Sequence, residues 1–132
     1  MNKDIADRWV TALRSDKFDQ GTEHLCKDGR FCCLGVLCEL YMDEFDLADE
    51  FSEPALVKGK YGEEQEVVFY GGADDLLPDE VLDWAGMKTH NGTIVLVPDK
   101  IWDNETSLAE LNDDGMSFKD IADVIEKEWM NL

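Results

Sequence analysis

Positive charge is what this sequence has least of: 12 lysines and arginines stand against 31 aspartates and glutamates, a formal net charge of −19 over 132 residues. A chain so short of cations meets the phosphates of DNA, RNA or an anionic membrane with repulsion, which excludes generic binding to any of them. Long hydrophobic runs are missing too, none approaching the ~18 residues of a membrane span. The N-terminus, MNKDIADRWV, is charged and amphipathic, unlike a secretory leader. The expectation is a cytoplasmic protein with reduced cysteines and no membrane partner. Without export, the sequons at Asn91 and Asn104 carry no meaning.

What is there suits a packed globule: hydrophobic residues make up 44% and aromatics 10%, enough for one domain over residues 1–132 without a disulfide or metal to hold it. The charge is unevenly placed. Residues 1–38 carry six acids and six bases, whereas residues 39–132 carry 25 acids and six lysines, and every arginine lies in the first thirty residues. Two candidate surfaces follow, one large and anionic, the other small and guanidinium-bearing.

Periodicity predicts the elements. Ile5, Trp9 and Leu13 recur every four residues, with Ala6, Val10 and Ala12 beside them, so residues 3–14 read as a helix with Asn2 as N-cap. Asp28-Gly29 is a type I′ hairpin signal pairing Lys27 with Arg30, Cys26 with Phe31, Leu25 with Cys32 and His24 with Cys33. Gly35 then turns the chain into a helix that runs to about Phe45 or restarts through LADEF. Pro54 breaks the pattern, and residues 55–72 read as a hairpin or loop around the buried strand VVFY. A short helix spans 78–85, with Pro78 in its first turn and Gly86 at its end. Asn91-Gly92 precedes a strand TIVLV closed by Pro98. Ser107 with Glu110 and Ser117 with Asp120 are capping boxes of two C-terminal helices broken at Asn112–Gly115. The sum is α+β: a small antiparallel sheet with an N-terminal helix, a helix after the first hairpin and two C-terminal helices packed on it.

Candidate chemistry centres on FCCLGVLC, residues 31–38. His24, Cys26, Cys33 and Cys38 supply the ligand count of a closed zinc site, but their C-x5-C-C-x4-C spacing has no C-x-x-C knuckle, and buried apolar cysteines account for the same stretch. His24 opposite Cys33 would suit a thiol nucleophile, although apolar neighbours in an acidic protein raise a thiol pKa. Glu110, Asn112, Asp114 and Gly115 imitate the start of a calcium loop whose twelfth position, Ile121, cannot ligate. The C-terminal helices lack the basic recognition helix of a DNA reader. No cofactor is expected, and the carboxylates are too many for any pair to be singled out as acid and base.

The order W-x-x-A-L-R-S (Trp9 to Ser15), Q-G (Gln20-Gly21) and F-C-C-L-G-V-L-C (Phe31 to Cys38) resembles a family of small proteins from tailed phages and prophages. Leu77 to Gly86 and Leu111 to Ala122 extend the resemblance over most of the chain. It implies provenance rather than chemistry, and it brings the analogy of small acidic phage proteins that block host enzymes.

Two functions are expected from these residues. The first is a non-catalytic acidic binding protein that inhibits a host protein with a basic surface, through Asp43, Glu44, Asp46, Asp49, Glu50, Asp113, Asp114, Asp123 and Glu126. The second is a pocket for an anionic small molecule, such as a phosphorylated nucleotide, between the first helix and the hairpin, using Arg14, Ser15, Gln20, Gly21 and Arg30. Lys27 and Arg30 face each other in the predicted pairing, and the anion between them is either one of the chain's own carboxylates or a ligand.

Overall fold

Asn2 opens the first helix as its side chain requires: the side-chain oxygen accepts the Ile5 N–H at 3.1 Å, and α1 runs Lys3–Arg14. The computed structural model describes residues 1–95 and 105–132. Along α1, Ile5, Ala6, Trp9, Val10 and Leu13 form one buried face. The face meets α2 and α6 in a core whose fully enclosed side chains include Trp9, Leu34, Leu37, Ile121 and Ile125.

The hairpin β1 (Cys26–Lys27) and β2 (Arg30–Phe31) turns at Asp28 and Gly29, both at positive φ (52° and 77°), as a type I′ turn demands. Lys27 pairs with Arg30 and Cys26 with Phe31, in the expected register. The ladder then stops. The Cys32 N–H donates to the Leu25 carbonyl at 3.2 Å, and Cys33 is already the first residue of α2 (Cys33–Phe45). The expectation that Cys33 shares a strand face with His24 is therefore corrected. Gly35 does not precede this helix but lies inside it, where an added Cβ would overlap the Leu25 carbonyl oxygen. Its lack of a side chain lets α2 pass directly against the Leu25 backbone, just ahead of β1.

After the short α3 (Ala48–Phe51) the chain forms a longer hairpin, β3 (Ser52–Lys58) with β4 (Glu64–Tyr70). Pro54 lies within β3 rather than breaking it. Gly71 N–H donates to the Phe51 carbonyl at 2.9 Å and Gly59 N–H to the Glu63 carbonyl at 2.7 Å. By the alternation of an antiparallel ladder, residues 53, 55 and 57 bond to β4, and the missing N–H of Pro54 points away from it.

The four-stranded antiparallel sheet has the order β2-β1-β4-β3. The loop before β1 covers the β2 edge: Phe31 N–H donates to the Asp19 carbonyl and Gly21 N–H to the Phe31 carbonyl. β3 is the other edge, and Pro54 blunts it. There follow α4 (Asp79–Ala85), capped by Pro78, a two-stranded sheet of β5 (Thr93–Val95) and β6 (Glu105–Ser107), α5 (Leu108–Asp113) and α6 (Phe118–Glu128). Asn104 and residues 96–98 of the expected strand lie outside the described residues. Ser107 and Ser117 cap α5 and α6 as the sequence indicates. The architecture is α+β. Among the described residues no helix is long and apolar enough to cross a membrane.

A candidate partner-binding surface

The sulfur stretch is interior. Cys33 and Cys38 lie on the inner side of α2 with no exposure, and Cys26 and Cys32 are buried beside them, all four as free thiols. Burial raises every one of their pKa values, that of Cys32 to about 11. The Cys33 thiol faces the Leu108 carbonyl at 3.6 Å. His24 turns elsewhere, with Nδ1 3.5 Å from an Asp74 carboxylate oxygen. The chain enters α2 at Cys33, so thiol and imidazole never meet across a strand pair. Among the described residues, no group of three or more His, Cys, Asp and Glu side chains is arranged to hold a metal ion.

The five residues expected to bind an anion are distributed over three places. Arg14 reaches α6, donating to Asp123 at 2.6 Å and Glu126 at 3.0 Å. The anion for this guanidinium is thus the chain's own, and two of the expected interaction carboxylates are spent on it. The Ser15 hydroxyl donates to the Ala12 carbonyl at the end of α1. Gln20 points inward, bonded to Asn112, Met116 and Phe118. Gly21 packs so close to Arg30 that a Cβ would press on the arginine's own Cβ. Only Gln20, Gly21 and Arg30 share a depression, of about 350 Å³, with Thr22, Lys27 and Asp28.

Ser15 instead borders a groove of about 580 Å³ between α1 and α2, which Glu39 also lines. Burial raises the pKa of Glu39, the nearby Asp43 adds to the effect, and a hydrogen bond from Tyr70 opposes it.

The acids of the second half divide in the same way. Glu44 pairs with Arg8 at 2.8 Å, and Asp113 accepts the Glu23 N–H at 2.8 Å. Asp114 is exposed beyond α5. Asp43, Asp46 and Glu50 are exposed around the end of α2 and α3, while the Asp49 side chain lies outside the described residues. Close along the chain to this last group is a cluster of aromatic rings that residue order does not reveal. Tyr41 contacts Phe45, Phe51 and Trp84 with centroids 5.2, 5.0 and 5.5 Å apart, and Phe45 is half exposed.

Phe51 carries the cluster into a cleft of about 730 Å³ lined by Glu50, Phe51, Ser52, Glu53, Pro54, Phe69, Gly71 and Gly72. Glu53 and Phe69 are cross-strand partners, so their side chains leave the sheet on one face. Glu80 lies close to Gly71, its Oε2 about as near as the Phe51 ring to where a Gly71 side chain would stand. Rings in mutual contact, rimmed by carboxylates, combine the apolar anchors and the charge of a protein interface. The four-residue step from Tyr41 to Phe45 on α2 is the available signal, but the rings at 51 and 84 join it only in three dimensions.

A family model described as "Domain of unknown function (DUF8296)" matches residues 1–129. Neither a curated protein nor a solved structure matches the chain.

Proposed function

The chain belongs to the DUF8296 family, and from that premise we propose that it is a non-catalytic binding protein of phage provenance that acts in the host cytoplasm by covering a basic surface of a host protein, such as one that handles nucleic acid. The observation that carries this reading is the cluster of Tyr41, Phe45, Phe51 and Trp84, part-buried behind the half-exposed Phe45, with the Glu50–Glu53 cleft beside it. The half-exposed Phe45 and the part-buried rings behind it supply the contact energy, and a net charge of −19 steers a cationic partner to them. Burial of the thiols, with pKa values raised above the ordinary range, argues against a cysteine nucleophile.

The test is capture from a bacterial host lysate at low and high salt, identification of the retained protein and assay of its activity. Inhibition of that protein, with an association rate that falls about tenfold or more between low and high salt, is expected. Tight binding indifferent to salt, or no retained protein at low salt, refutes the reading.

One observation favours a second reading. Among the described residues neither Lys27 nor Arg30 has a carboxylate within 4.0 Å, and Thr22 adds a hydroxyl to the depression they share. That set suits a phosphorylated small molecule. Thermal stabilisation by nucleotides that is lost in Arg30→Ala and Lys27→Ala would support it, and no stabilisation by any of them would dismiss it.

A further inference from the structure

Arg8 shows how this chain holds a guanidinium on its own surface. Its Nη1 donates to Glu44 at 2.8 Å while its Cζ lies 5.7 Å from the centre of the Trp84 ring. A carboxylate at the edge and a ring at the face are what a planar, weakly hydrated cation uses best.

The same two ingredients recur without a cation in the cleft between α3, the start of β3 and the end of β4. Its lining holds the carboxylates of Glu50 and Glu53 and the rings of Phe51 and Phe69, but no lysine or arginine. Among the described residues, no basic side chain lies within 4.0 Å of Glu50, Glu53 or the adjoining Glu80. The second half of the chain has no arginine that could fill the place from within.

We propose that this cleft receives an arginine side chain from the basic surface of the partner, in the arrangement that Arg8 already adopts against Glu44 and Trp84; the proposal rests on the partner-binding reading above. The chemistry narrows the occupant. A phosphate or carboxylate would meet Glu50 and Glu53 with repulsion. A purely apolar side chain would strip water from two carboxylates and return no charge to them. A lysine ammonium would satisfy the carboxylates but has no planar face to lay on Phe51 or Phe69.

The test uses the full chain and three blocked tripeptides, acetyl-Gly-Arg-Gly-amide and its lysine and citrulline counterparts, followed by amide chemical shifts at low salt. The arginine peptide is expected to move the signals of Ser52, Phe69, Gly71 and Gly72, and to bind about tenfold more tightly than the citrulline peptide, which keeps the shape and loses the charge. Phe69→Leu should abolish the preference for arginine over lysine. Glu50→Gln with Glu53→Gln should remove the binding with an unchanged melting temperature, since both side chains are exposed. Equal affinity for arginine and citrulline, or shifts gathered around Asp113 and Asp114, would overturn the cleft and leave the partner-binding reading standing. An unchanged affinity of the double variant for the captured host protein would do the same. Failure of capture at low salt removes the reading itself.

Discussion

Gln20 and Asn112 meet in the interior, Nε2 of the first donating to Oδ1 of the second at 3.0 Å across 92 positions of sequence. Asn112 is wholly buried, and its Oδ1 also accepts the Cys33 N–H at 3.1 Å while its Nδ2 donates to the Gly21 carbonyl at 2.8 Å. Cys33 opens α2, whose N-cap, Cys32, makes no capping bond of its own. Gln20 Oε1 accepts the N–H of Phe118, the first residue of α6, at 3.1 Å. Each amide thus caps a helix to which it does not belong. Asn112→Ala is expected to destabilise the fold by roughly 2–4 kcal/mol, because one truncation leaves several buried polar groups without partners. Urea unfolding measures it, and a loss below about 0.5 kcal/mol would contradict the role.

Gly35→Ala tests the close approach of α2 to the Leu25 backbone. In an ordinary helix interior this change stabilises by about 1 kcal/mol. Here the new methyl overlaps the Leu25 carbonyl oxygen, which is backbone and cannot swing away. The expected result is the opposite sign, a loss of about 3 kcal/mol or failure to fold, followed by thermal melting monitored through circular dichroism.

Thiol labelling should separate burial from reactivity. With Cys33 and Cys38 fully enclosed and the Cys32 pKa raised to about 11, native protein at neutral pH is expected to react with a disulfide reagent only as fast as it opens. Four equivalents should react at once in denaturant. Rapid labelling of any one thiol in the native state would show that it is not held inside.

Glu39 links stability to pH. Burial holds its folded-state pKa above the ordinary carboxylate value, so between the two values the native state keeps a proton that the unfolded chain has lost. Its contribution to stability therefore falls as pH rises through that window. Glu39→Gln removes the cost. The variant should melt above the parent at pH 7 to 8, and the difference should shrink as pH falls through that window and level off below about 4.5. A difference that does not change with pH would contradict the assignment.

The sequence by itself determined what depends on neighbours along the chain. The four-residue recurrence from Ile5 to Leu13, the Asp28-Gly29 turn and the serine caps at 107 and 117 are local chemistry, and each is present where it was read. Pro54 sits inside a strand rather than ending one, because its effect depends on which side of β3 is bonded, and that is set by pairing with β4. Cys33 reads as a strand residue by alternation, which looks two residues ahead, while the amide that caps α2 there arrives from position 112. Tertiary structure alone decided which charges are spent and which remain. Arg14 finds Asp123 and Glu126 more than a hundred residues away, whereas Glu50 and Glu53 find no cation among the described residues. Coulomb attraction acts through space and depends on distance and solvent, which residue order does not encode, so composition shows that the chain is acidic and only folding shows where that acidity is left unpaired.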